Sequence, residues 1–279
     1  MEHLRRHYWQ DYTATEIAAL VDDATLAILP LAAIEQHGAH LPLSTDLDIN
    51  QGLLDAALTR LGANTSVFVL PPMMVGMSLE HTRFAGTLSL PPETAIDTIV
   101  SHGRALAAAG IKRLMLFNSH GGNKAVMDIA ALKLREAYGL LVVKATYTRF
   151  ALPAEALPME ELRHGLHGGA LETALMLYLA PNKVRTEAIF DAPSLAHRLI
   201  AQGSTLGPEG EAGFAWMADD LHPAGVTGNA CLADAEMGAR LVEHYAERLA
   251  KLIEDAQSFA LDALANNGSE VLSHKAADR

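Results

Sequence analysis

Apolar residues along the chain follow two alternating rhythms. Four stretches are short and almost continuously apolar: "TLAILPLAAI" (25–34), "SVFVLPP" (66–72), "IKRLMLFN" (111–118) and "LLVVKATYT" (140–148). Their length and branched side chains predict strands. Between them, apolar positions recur three and four residues apart, which predicts helices. "TATEIAALV" opens with the Thr13–Glu16 spacing of a capping box ahead of Ile17, Leu20 and Val21. A helix is expected from about Asp48, as N-cap, to Leu61, with Gly62 placed to stop it.

"PPETAIDTIVSHGRALAAAG" (91–110) reads as a helix with Pro at its start, Gly110 at its end, and Ile96, Ile99, Val100 and Leu106 on one face. Further helices are expected over "NKAVMDIAALKLREAYG" (123–139) and from about Ala170 to Leu179. From 181 to 233 the pattern gives way to Gly- and Pro-rich loop. A long C-terminal helix then carries Met237, Leu241, Tyr245, Leu249 and Ile253 at fourfold spacing.

Strands separated by helices of this length make βαβ units. The expected fold class is α/β, a mainly parallel sheet covered by helices on both faces. With no internal repeat and no linker, residues 1–279 read as one domain, ending in a loose tail from about 266.

Composition narrows the function classes. Half the residues are hydrophobic, enough for a sizeable core, and the net charge is −12. Lys and Arg are scattered, with no run longer than two, which argues against nucleic-acid or anionic-membrane partners. The single cysteine, Cys231, excludes an intrachain disulfide and a Cys-type zinc site. No apolar run reaches the ~18 residues of a membrane span, and the start lacks a signal-like apolar region. A cytoplasmic protein acting on a small molecule is expected.

Candidate chemistry gathers where the strands end. Glu35, His37, His40, Asp46 and Asp48 follow the first strand, and "NSHGGN" (118–123) follows the third. In open parallel sheets, ligands bind beyond the carboxyl ends of the strands, so the two segments converge on one edge. Glu35 and His37 are two apart and project to the same side of extended backbone. Asp46 closes a loop that returns over them, and His120 comes from the other segment. This N/O set suits Zn²⁺ or Mn²⁺.

Other readings of these residues remain open. The glycine pair after His120 could instead cradle a phosphate, and Asp48 is most simply a helix cap. Asn123 is placed to cap the following helix. "EHTRF" (80–84) is either a salt-bridged loop or a substrate wall. His3, His7, His102, His197, His244 and His274 read as solvated or terminal.

Five segments, in order, resemble the signature segments of the creatininase (creatinine amidohydrolase) family. They are "LPLAAIEQHGAHLPLSTD" (29–46), "GMSLEHTRFAGTLSL" (76–90), "NSHGGN" (118–123), "LHGGALETALML" (166–177) and "HPAGVTGNA" (222–230). The resemblance implies a dinuclear metallohydrolase on a three-layer α/β/α fold, assembled as a homohexamer. Glu35 and His120 would hold one metal and His37 the other, with Asp46 bridging. Creatinine-hydrolysing members draw their last ligand from a Glu at the position of Gly122. The "HGGN" branch uses instead a Glu matching Glu172, here counted both as ligand and as catalytic residue. His167 matches the family's proton shuttle.

Two departures are Ala170 and Ala174, where the family often has Glu and Ser. The segment 148–165 also lacks the tryptophans that wall creatinine, so another substrate is expected. The chemistry implied is hydrolysis of a C–N bond in a small amide, cyclic amide or formamide. Two divalent ions per chain, zinc first with manganese or iron as alternatives, would share a bridging hydroxide as nucleophile. His167, with an ordinary pKa near 6.5, would protonate the leaving nitrogen. His40, Glu80, His81 and Asn123 are expected to touch the substrate or to support the ligands from behind. A lactone or cyclic-ketone hydrolase with the same centre, or a non-catalytic phosphate- or nucleotide-binding module, are the alternatives.

Overall fold

The computed structural model describes residues 7–62, 65–153 and 156–265. The expected tail from 266, and with it His274, lies outside the described residues, as does His3. The elements run in order α1 (Ala14–Leu20), β1 (Leu26–Leu31), α2 (Thr45–Leu58), β2 (Val67–Val69), α3 (Pro92–Ala108), β3 (Arg113–Asn118), α4 (Asn123–Tyr138) and β4 (Leu141–Thr146). There follow α5 (Met159–His164), α6 (Ala170–Leu179), β5 (Asp191–Ala192), α7 (Leu195–Ala201), β6 (Leu206–Gly207), β7 (Ala212–Gly213), α8 (Ala218–Leu221), β8 (Gly228–Asn229), α9 (Ala235–Ser258) and α10 (Asp262–Ala265). The loop expected over 181–233 thus contains several short elements, each too brief to leave a periodic signal.

The central sheet has the order β2-β1-β3-β4, and every pairing in it is parallel. Every residue of β1 and β3 is buried, as their unbroken apolar runs require of strands covered on both faces. One face packs Ile28, Met115 and Phe117 against α2, α6 and α9. The other packs Leu29, Leu31, Leu114 and Leu116 against α3 and α4. The result is the expected three-layer α/β/α arrangement. Pro30 is tolerated in a central strand because the carbonyls of Ile28 and Pro30 face the β2 side, accepting from Leu70 and Met73. Its missing donor therefore falls beyond Val69, where β2 has ended.

Local expectations fare unevenly. The Thr13–Glu16 capping box forms on both sides. Leu241, Tyr245, Leu249 and Ile253 line the buried face of α9. The second helix, however, begins at Thr45 rather than at Asp48 and ends at Leu58, before Gly62. Asp46 and Asp48 both occupy its first turn, where carboxylates favour the positive end of the helix dipole. Asp48 accepts from Ser44 Oγ at 2.8 Å and from Lys183 Nζ at 2.7 Å. His7, expected to be solvated, is buried with Nδ1 at 3.2 Å from the Val67 carbonyl.

Candidate metal centre

The ends of elements place each side chain of the centre. Beyond β1, the Glu35 N–H donates to the Leu43 carbonyl at 3.0 Å and closes the 35–43 loop on itself. That loop delivers the chain to α2, whose first turn presents Asp46. One turn later, buried Asn50 donates to the carbonyls of Leu31 (3.1 Å) and Phe117 (3.0 Å). These bonds pin α2 to the ends of β1 and β3 and hold Asp46 over the sheet edge.

His120 follows β3. Its Nδ1 lies 3.2 Å from Glu35 Oε1 and 3.5 Å from Asp46 Oδ2. Its Nε2 lies 2.9 Å from the Met77 carbonyl, an acceptor that fixes the proton on Nε2 and frees Nδ1 as a ligand atom. His37 is oriented the other way round. Its Nδ1 faces the Glu35 carbonyl at 3.1 Å, and its free Nε2 lies 3.9 Å from both Asp46 Oδ1 and Glu172 Oε2.

Glu172 stands in the first turn of α6, and its Oε2 accepts from the Gly168 N–H at 2.6 Å. Gly168 has φ +65°, and a Cβ there would meet Val226 at 2.6 Å. Only glycine makes this turn, which brings His167 and Glu172 to the same side. The His167 ring lies between His37 and His81, with ring centroids 4.2 and 4.1 Å away.

Burial and charge set the protonation pattern. Burial would raise the Glu35 carboxyl, but His120 and the other imidazoles around it hold it well below the usual range. Burial would lower His120, but Glu35 outweighs it and lifts the imidazole to about 10. Asp46 is pushed up by burial and by the Glu35 carboxylate, and burial also raises Glu172. Burial and the neighbouring His37 lower His167 to about 4, and burial lowers His81 to about 2. The ordinary pKa expected for His167 is therefore not found: its imidazole is neutral at pH 7, with Nε2 at 2.7 Å from the Gln36 carbonyl.

The donor set fits a pair of cations. Both Glu35 oxygens, His37 Nε2 and Asp46 Oδ2 are buried with no hydrogen-bond partner, a cost that a bound cation removes. Two three-residue groups, Glu35–Asp46–His120 and His37–Asp46–Glu172, each have ligand atoms within 4.8 Å of one another, and they share Asp46. Glu35, His37 and His167 form a third group, which takes one residue from each of the other two and adds His167. Hard oxygens with imidazole nitrogens suit zinc or manganese.

The other expected residues divide. Glu80 and His81 face the centre, Glu80 Oε1 at 3.6 Å from His120 Nε2 and His81 Nε2 at 3.5 Å from Glu35 Oε1. Arg83, in the same segment, is salt-bridged to Asp219 at 3.1 Å, so "EHTRF" serves as site wall and ion-paired loop together. His40 is buried with Nε2 on the Thr173 hydroxyl at 3.0 Å. Asn123 does not cap α4. Its amide is committed to the frame, accepting from Met77 N–H and donating to the Ala32 carbonyl and to Oδ1 of Asn118.

Four contributors escape sequence reasoning. Gln36 donates to the Gly225 carbonyl at 2.5 Å and contacts His81 Nδ1 at 2.9 Å; its place between Glu35 and His37 was the available signal. Asn50 and Glu161 have no motif around them. Glu161 accepts from the N–H groups of Ala170 and Asn229, each at 2.7 Å, and so fixes the turn that carries His167. Tyr147 is fully buried, its hydroxyl pushed up by burial and by nearby Glu172.

Comparison with known proteins gives concordant matches. The family model described as "Creatininase: Creatinine amidohydrolase" matches residues 10–253. A mycofactocin precursor peptide peptidase of Mycobacterium tuberculosis (strain ATCC 25618 / H37Rv) is 35% identical over 166 residues, 57% of this chain and 61% of that one. This chain thus spans about three fifths of that relative's length. A creatinine amidohydrolase of Pseudomonas putida is 31% identical over 201 residues, 66% of this chain and 74% of that one. Among solved structures, a creatinine amidohydrolase (creatininase) superposes with a TM-score of 0.74 at 26% identity, covering 91% of this chain and 98% of that one.

Proposed function

The chain belongs to the creatininase family, and from that premise we propose that it hydrolyses a C–N bond in a small amide, cyclic amide or formamide. The observation that carries the reading is Asp46, shared by two three-donor groups, in a pocket whose buried donor atoms have no other partner. Glu35 and His120 would hold one divalent ion, His37 and Glu172 the other, with Asp46 between them. Zinc is the first expectation, with manganese or iron as alternatives.

Ions held there would supply a hydroxide nucleophile from water at neutral pH and polarise the carbonyl it attacks. The residues around them do the rest. His167 is neutral, and the Gln36 carbonyl at 2.7 Å holds the proton on Nε2, leaving Nδ1 bare and 3.7 Å from Glu35 Oε1. His167 therefore begins as a base. Nδ1 would take up the proton given up by the attacking water and return it to the leaving nitrogen. His81 and Gln36 hold this ring in place, and Glu80 stands at the substrate side.

The absence of tryptophan from 148–165 argues against creatinine as substrate. By family resemblance the protein would assemble as a homohexamer, and its single cysteine fits a cytoplasmic location. No described helix is long and apolar enough to cross a membrane. The test combines metal analysis with hydrolysis assays on amide and lactone panels. The reading requires bound divalent metal and amide cleavage that stops on chelation. A metal-free protein that cleaves amides at full rate would overturn it.

A further inference from the structure

A cavity of about 460 Å³ opens at the carboxyl ends of β3 and β4, lined in part by Asn118, Gly121, Lys124, Thr146, Thr148 and Arg149. Two of its lining residues adjoin a proposed ligand, His120. Gly121 directly follows His120, and Asn118, on the cavity wall, donates to the His120 carbonyl at 2.7 Å. Asn118 and Thr146 stand opposite each other in the β3–β4 register, so the cavity shares the sheet edge on which Glu35 and His120 stand.

Its charge differs from that of the whole chain, which carries −12. Lys124, Lys144 and Arg149 line it against Asp128 and Glu209. Lys144 and Asp128 are engaged with each other. The Lys124 ammonium and the Arg149 guanidinium have no ion-pair or hydrogen-bond partner among the described residues, and they outnumber Glu209. Two unpaired cations beside two threonine hydroxyls make a receptor for an oxyanion. The guanidinium fork matches a carboxylate or phosphate with two parallel hydrogen bonds, and the ammonium adds a point charge. The volume suits one small acidic group with its stem.

We propose that this cavity is a subsite for an oxyanion, carboxylate or phosphate, carried by the substrate and held by Lys124 and Arg149 while the scissile bond lies at the metal centre. The inference rests on the hydrolase reading and narrows it to acidic amides.

The test titrates inorganic phosphate into the metal-loaded protein by calorimetry. Phosphate binds the wild type, and the Lys124→Met/Arg149→Met double variant weakens it at least about tenfold. Asp46→Ala, which disables the metal centre, keeps phosphate binding. Binding that vanishes in Asp46→Ala but persists in the double variant places phosphate on the metals and overturns the subsite. Matched amides with and without a carboxylate follow. The acidic member has the higher kcat/KM, the advantage disappears in the double variant through KM, and free phosphate competes with it. Non-competitive phosphate overturns the assignment to substrate. Amide cleavage with an acidic preference unaltered in the double variant sinks the subsite alone. Phosphate binding that depends on Lys124 and Arg149, with no amide cleaved, supports an oxyanion site and sinks the hydrolase reading alone.

Discussion

The Glu35 carboxylate lies 3.2 Å from Nδ1 of His120, although the two residues follow different strands of the sheet. β1 and β3 are neighbours in parallel register, Leu31 opposite Asn118, so chain leaving either strand emerges on the same edge. The contact is the meeting point of the proposed centre, and several measurable consequences follow from its surroundings.

Asp46 contributes to both ligand groups, so Asp46→Ala disrupts both at once. Removing a partner of a ligand commonly costs 10–100-fold in metal affinity, and loss of a shared ligand is expected to cost at least about 100-fold. Elemental analysis after dialysis should find the variant largely free of metal, with its circular dichroism unchanged.

A side chain at position 122 has no room. A Cβ there would run into His120 Nε2, the Met77 carbonyl and Glu80 Oε1. Gly122→Ala is expected to turn His120 off the Met77 carbonyl and lower metal affinity. Gly122→Glu, whose longer side chain needs still more room, is expected to do so more strongly. Metal occupancy of the two variants, against wild type, measures this.

Metal binding should release protons. In the metal-free pocket Asp46 and Glu172 are raised carboxyls and His120 is raised to about 10, so all three hold protons more tightly than usual. The ligand forms are deprotonated, so affinity rises with pH until His120 is neutral. The metal-free carboxyls work the opposite way on folding: folded pKa values above the unfolded ones favour the native state at low pH, and that contribution is lost as pH rises through the folded values. The rescue of thermal stability by added zinc should therefore be larger at pH 8 than at pH 5. Calorimetry in buffers of different ionisation enthalpy counts the protons released.

Glu161→Ala leaves the N–H groups of Ala170 and Asn229 without their acceptor. A buried donor left unsatisfied costs about 1–3 kcal/mol. Thermal unfolding should report a loss of that order, and kcat should fall because the turn bearing His167 loosens. Glu161→Gln, which keeps one acceptor oxygen, is expected to lie between Ala and wild type on both scales.

Much of the architecture was legible because strand-length apolar runs and helical stripes record burial directly, as β1, β3 and α9 show. Glu35, His37 and His120 were legible because strand ends and two-residue spacing are properties of sequence. The start of α2 was misread because Asp48 has the chemistry of a cap, whereas the observed helix begins at Thr45 and places both Asp46 and Asp48 in its first turn. Asn123 was misread for a similar reason, since an Asn ahead of a helix looks like a cap until the backbone of Met77 and Ala32 and the Asn118 side chain claim its amide. The orientation of His120 depends on the Met77 carbonyl, a backbone group that no residue type encodes. His167 carries a lowered proton affinity because the fold buries it and sets it beside His37, which is a property of the fold and not of any segment.

Each ligand group draws two members from the short 35–46 stretch and the third from a distant element, β3's end for one and α6 for the other. A nascent or denatured polypeptide can offer only fragments of either cage. Grip on an ion would thus arrive late in assembly, and by mass action almost the whole of its binding free energy would fall on the native side of the folding equilibrium. Cellular metal supply would then govern how long the folded molecule survives as well as how fast it turns over.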